Sequence, residues 1–304
     1  MWRSTSVRLI HSDASATSLG LLRIWVFAIA AARVVRLPLE ELGRLPASGF
    51  EPFGILRLVP DRIWDAILLP PPLTALKLVL VVVLLAAAAG VAPRTSTALG
   101  AVGLLLAEGV ARGYVGHVNH AQLPLIYVAM LIAASPSGDA LALWNRRPGA
   151  GKPEAYQFAL FASALVVAAS FFFVGSHRLS HGAPEIFTSN SLAEWILWWN
   201  LHFSDPAATL GVQAIANPVG AALLKASFPL ITLLEISAPL CLFSRRFRLC
   251  FLPAILATQL GIYLLMTINF VDQALLYVVL IDSRHWPSFR RLTPWSLAQG
   301  ARAT

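Results

Sequence analysis

A chain of 304 residues that is 57% hydrophobic, 12% charged and of mean hydropathy +0.70 is not an ordinary soluble domain, because such domains carry about a quarter charged residues. The composition is that of a polytopic membrane protein. A formal net charge of +8 would point to nucleic acid in a soluble protein, but these basic residues flank apolar runs, where anionic lipid headgroups account for them, and nucleic-acid binding is set aside.

A helix needs roughly 20 apolar residues to cross the ~30 Å hydrocarbon layer. In chain order, about eight candidate spans follow, centred on Leu19 to Val35, Leu73 to Val91, Ser96 to Tyr114, Leu123 to Ala134, Phe158 to Val174, Ala222 to Phe243, Phe251 to Met266 and Phe270 to Ile281. The last two share one continuous apolar stretch and are divided at Thr267 to Asn269, because a single helix would be too long. The expected fold is an all-α, multi-pass helical bundle, with residues 1–304 forming a single transmembrane domain. Arg3 and Arg8 precede the first span, but Arg23 interrupts its core and further spans follow, so it reads as a retained helix and not a cleaved signal peptide.

Between the spans, two longer polar connections each carry a candidate interfacial helix, Gly54 to Leu69 and Ser191 to Phe203. The second holds Trp195, Trp198 and Trp199, the indoles that favour the headgroup region. The segment RRPGAGKP, Arg146 to Pro153, is a turn, and with Arg94, Arg245, Arg246, Arg248 and Arg284 it lies on the side of both termini. Short loops rich in Lys and Arg stay inside, so both termini are expected in the cytoplasm of a bacterial plasma membrane. Cys241 and Cys250 border the basic turn SRRFR and read as small hydrophobes in a reducing compartment.

Ionisable groups at membrane depth are costly and so are paired, bundle-facing or functional. Arg23 lies in the first span, Glu108 and Arg112 in the third, and Glu235 in the sixth. Glu108 and Arg112 are four apart, within ion-pair reach on one helical face, and read as a mutually neutralising pair. Glu235 has no local partner, which nominates Arg23 and Arg178. His117 and His120 close the third span while His177 and His181 close the fifth, spacings that place each pair on one face and leave a metal site as a minor alternative.

The order of these segments resembles a known family. LGLLRIWVFAIAAARV, Leu19 to Val34, is similar to its first helix with an embedded arginine. NHAQLPLIYVAMLIAASPSGDALAL, Asn119 to Leu143, is similar to its Asn-His start, apolar helix and Pro-x-Gly turn. FFFVGSHRL, Phe171 to Leu179, matches an aromatic-rich helix end, and LLEISAPLCLFSRRFRLCFLPAILATQLGIYLLM, Leu233 to Met266, supplies the glutamate, the basic turn and the next helix. The chain thus resembles the horizontally transferred transmembrane (HTTM) proteins, bacterial relatives of the membrane part of vitamin K-dependent gamma-carboxylase.

The resemblance implies a scaffold that works on a quinol, in which a lysine serves as base. That lysine falls on Arg178, whose guanidinium stays protonated and cannot be a base. A family histidine falls on Gln259, which orients a ligand but exchanges no proton, and a family aspartate falls on Trp144. Carboxylase chemistry is therefore not expected. The expectation is a pocket for a hydrophobic quinone, quinol or isoprenoid lipid, with Arg178 as anion anchor, His177 or His120 in proton transfer, Glu235 as counter-ion, Gln259 as orienter and Arg23 as a further ligand-binding residue. Two other readings stand beside it: a non-catalytic membrane component or partner of a redox protein, and a histidine-rich metal protein using His117, His120, His177 and His181. A transporter lacks support, since the sequence has no inverted repeat.

Overall fold

The computed structural model describes residues 9–116, 121–144, 151–203 and 209–286. Among these residues the secondary structure is helical, and six helices are long and apolar enough to cross a membrane. The first, α1 (Ala16–Arg36), starts where the Ser15 side chain accepts a hydrogen bond from the Ser18 N–H, satisfying an orphan donor of the first turn. The connection after it forms α2 (Leu39–Leu42), two 3-10 turns and α3 (Asp61–Ile67). The single interfacial helix expected over Gly54 to Leu69 is instead a 3-10 turn, Gly54–Leu58, and α3, parted at Val59-Pro60. Proline disfavours helical backbone in the residue before it, and Val59 is extended with ψ 123.

Two antiparallel spans follow, α4 (Pro70–Ala89) and α5 (Pro93–Val115), and then the short α6 (Leu123–Ala133). The longest helix, α7 (Pro153–Gly182), precedes α8 (Glu185–Thr188), α9 (Ser191–Phe203) and α10 (Gly211–Ala216). The chain recrosses in α11 (Pro218–Ile236) and α12 (Arg245–Met266) and ends the described bundle with α13 (Val271–Leu276) and a 3-10 turn, Tyr277–Leu280. Proline opens α4, α5, α6, α7 and α11, where its missing N–H costs no hydrogen bond.

The structure separates the eight expected spans into six long helices and two short apolar ones, Leu123–Ala133 and Val271–Leu280. Prolines account for the first short helix: Pro124 starts it and Pro136 lies in the turn after it. The division between the last two spans is present, since α12 stops at Thr267 in a left-handed conformation of φ 55. α6 and α13 pack against each other, and α1 contacts both.

The main core gathers around α1, whose Leu19, Leu22, Val26, Phe27, Ala30 and Val34 are buried against α4, α5, α6 and α7. A smaller cluster of Ala193, Ile196, Leu224 and Met266 joins α9, α11 and α12. The segment before α1 is tied to the far end of the chain. His11 donates from Nε2 to the Val279 carbonyl at 2.8 Å and accepts the Ser283 N–H at Nδ1 at 3.1 Å, while the Ile10 N–H reaches the Leu242 carbonyl at 3.0 Å. Burial holds the His11 imidazole below the usual histidine range. Nearby, burial pushes the Asp282 carboxyl up, but hydrogen bonds from Arg284 outweigh it and keep the group below the usual aspartate range.

Candidate functional site

Helical periodicity builds one wall of the site. Val166, Ser170, Phe173, His177 and His181 recur at intervals of three and four, so they fall on one face of α7, with Ala169, Val174, Arg178 and Gly182 beside them. Opposite stand Leu123, Pro124 and Tyr127 from the first turns of α6. Between the two helices lies a cavity of about 840 Å³. Among the described residues its wall is apolar except for Ser170, the Tyr127 hydroxyl and one basic end made by His177, Arg178 and His181.

Arg178 is held from behind by α11. Its Nη1 donates to Glu235 Oε2 at 2.7 Å and lies 3.4 Å from Thr232 Oγ1, and its guanidinium sits 5.2 Å from the Phe228 ring centroid. Gly175 makes this contact possible. A Cβ at that position would stand 2.9 Å from Glu235 Cβ and 3.0 Å from the Ile236 nitrogen, so a larger residue would push α11 away one turn from Arg178.

The two histidines differ. His181 Nδ1 lies 3.0 Å from the His177 carbonyl. Ser180 Oγ also reaches that Nδ1 at 2.8 Å. The His177 ring stacks obliquely on His181 at a centroid distance of 4.1 Å, and its nitrogens have no hydrogen-bond partner among the described residues.

The expected site residues fall into three places. His177 and Arg178 line the cavity, and Glu235 touches Arg178 without lining it. Gln259 is not a lining residue; it is buried among α12 and α13, where its amide bonds the Tyr277 hydroxyl and lies 3.2 Å from Gln273 Oε1. Arg23 does not line the cavity either. It is fully buried, and its terminal nitrogens donate to carbonyls of the turn after α6, from Nη1 to Ser137 at 2.6 Å and from Nη2 to Leu141 at 2.5 Å. Gly90, at φ +74, lies so close that a Cβ there would be 2.8 Å from Arg23 Nη2. His117 and His120 lie outside the described residues. Among the described residues no group of three or more His, Cys, Asp and Glu side chains is arranged to hold a metal.

The expected Glu108–Arg112 ion pair is present, but it belongs to a larger cluster. Glu108 is bound chiefly by Arg33 of α1, with Nε 2.6 Å from Oε1 and Nη2 3.3 Å from Oε2, whereas Arg112 stands 3.8 Å away. Asp272 at the start of α13 extends the cluster to Arg36 and, at 3.5 Å, to Arg33. Sequence spacing finds neighbours on one helix and overlooks Arg33, Asp272 and the cavity wall from α6, because those contacts cross between helices. The one available signal for Arg33 was a charge inside the apolar first span.

No family model matches the chain, and neither does any curated protein or solved structure.

Proposed function

We propose that this integral membrane protein is an HTTM-like scaffold that binds a lipophilic ligand, of the quinone, quinol or isoprenoid lipid class, in the cavity between α6 and α7. The observation that carries the reading is the cavity itself. Its volume of about 840 Å³ lies within the ~300–1,000 Å³ typical of small-molecule sites, and apolar walls end in one basic cluster. Arg178 anchors the polar end of the ligand. Proton acceptance falls to His177, as expected from sequence, or to His181 beside it on the cavity wall. Arg178 in place of a lysine base speaks against carboxylase chemistry on this scaffold. In this reading the termini face the cytoplasm of a bacterial plasma membrane, as the basic loops favour.

Native mass spectrometry of the detergent-purified protein, followed by solvent extraction, tests the proposal. A stoichiometric quinone or isoprenoid lipid is expected, and Ala169→Trp, which fills the α7 wall, should remove it. A protein that retains no lipophile, or an Ala169→Trp variant that retains as much as the original, would overturn the assignment.

A further inference from the structure

Two arginines of this chain use their guanidinium edges differently. Arg33 engages Glu108 side-on, through Nε at 2.6 Å and Nη2 at 3.3 Å, the bidentate fork that matches a carboxylate or phosphate. Arg178 engages Glu235 and Thr232 through Nη1 alone. Its Nε and Nη2, the same edge that Arg33 commits to a carboxylate, have no hydrogen-bond partner among the described residues. The Arg178 side chain is 26% exposed and lines the cavity.

The charge of the lining points the same way. Among the described residues no aspartate or glutamate lines the cavity, while His177, Arg178 and His181 do. Glu235 fixes the guanidinium from the α11 side, and the Phe228 ring limits its rotation, so the open edge is held in place before a ligand arrives. A neutral carbonyl oxygen matches only part of a two-donor edge, whereas an oxyanion with two oxygens meets both N–H groups.

We infer that the cavity selects a hydrophobic acid, with its apolar tail against Leu123, Tyr127, Val166 and Phe173 and its carboxylate or phosphate held side-on by Nε and Nη2 of Arg178. The inference rests on the cavity reading above and narrows it from lipophiles in general to anionic ones. His177, with its ring nitrogens unengaged, supplies a further hydrogen bond at the rim.

The test titrates the full-length protein in non-ionic detergent at a mildly alkaline pH with three probes of equal chain length: hexadecanoate, hexadecyl phosphate and hexadecanol. Native mass spectrometry reads the bound fraction. Both acids are expected to bind at least about tenfold more tightly than the alcohol, the effect of a charge-assisted hydrogen bond. Tighter binding of hexadecanoate would assign a free carboxylic acid, and tighter binding of the phosphate a phosphorylated lipid. The preference should disappear in Arg178→Gln/Glu235→Gln, which removes both charges and so leaves no buried carboxylate unpaired, and should shrink in Arg178→Lys, which keeps the charge but loses the fork. Equal binding of all three probes, or a preference that survives the double substitution, overturns the inference. Ala169→Trp separates the two levels: probes that bind equally but are lost in this variant leave the cavity reading standing, while probes that bind it undiminished, or that never bind, overturn both.

Discussion

Arg33 Nε lies 2.6 Å from Glu108 Oε1, closer than Arg112, which shares a helix with that glutamate and stands at 3.8 Å. The ion pair therefore joins α1 to α5 and does not merely neutralise one helix. Breaking a buried pair costs about 3–5 kcal/mol, against about 0.3–0.5 kcal/mol for an i,i+4 helix pair. Glu108→Gln is expected to destabilise the protein far more than Arg112→Gln when thermal unfolding is followed in detergent. A double-mutant cycle should couple Glu108 to Arg33 more strongly than to Arg112, and equal couplings would contradict the geometry.

The approach of α11 to α7 depends on the absence of a side chain at Gly175, next to Glu235 and Ile236. Gly175→Leu is expected to cost about 1–3 kcal/mol by overpacking and to separate Arg178 from Glu235. A double-mutant cycle between Arg178 and Glu235 should show coupling in the original background and lose it in Gly175→Leu; unchanged coupling would show that the helices do not part.

His11 is buried, with its ordinary pKa depressed by desolvation, and is faced by Asp282 and Arg248. The unfolded chain takes up a proton near pH ~6.5, the folded chain only at lower pH, so the folded state is fully favoured above that value. Stability is therefore expected to fall as pH drops below about 6.5. His11 also sits at φ 64, a left-handed conformation that asparagine tolerates. Melting temperatures from neutral to mildly acidic pH should decline more shallowly in His11→Asn than in the original; parallel curves would remove His11 from the account.

The two cysteines should differ in chemistry. Cys241 is buried, and burial pushes its thiol up to about 12, whereas Cys250 is exposed. A membrane-permeable maleimide is expected to label one thiol per folded chain, and Cys250→Ser should abolish the labelling. Labelling that persists in that variant would show Cys241 to be accessible.

The sequence made the bundle legible because spanning helices are set by length and hydropathy, properties local to each segment. The break at Thr267 followed from the same arithmetic. α6 was harder: its apolar run looks like the others, and only Pro124 and Pro136 record that the helix is short. Within the site, Arg178 and His177 were visible because they interrupt an apolar face of α7. The partnership of Arg178 with Glu235 could be narrowed to two arginines but not chosen, since the choice lies in which helices touch. Gln259 and Arg23 fall away from this cavity for the same reason. Their neighbours, Tyr277 and the carbonyls after α6, are distant in the chain, and backbone carbonyls leave no mark in an amino-acid pattern.

The shortness of α6 governs how the cavity communicates with its surroundings. Its 11 residues rise roughly 16 Å at ~1.5 Å each, about half of the hydrocarbon depth. α7, with 30 residues, is longer than that depth, so among the described residues α6 covers only part of the α7 face that lines the cavity, while α11 packs on the other side of Arg178. If the cavity holds a lipophile as proposed, a molecule already dissolved in the leaflet enters such a cleft sideways. Its occupancy then follows its mole fraction among the lipids and not its concentration in water, so dose-response curves collected at different lipid-to-protein ratios should superimpose only when plotted against membrane composition.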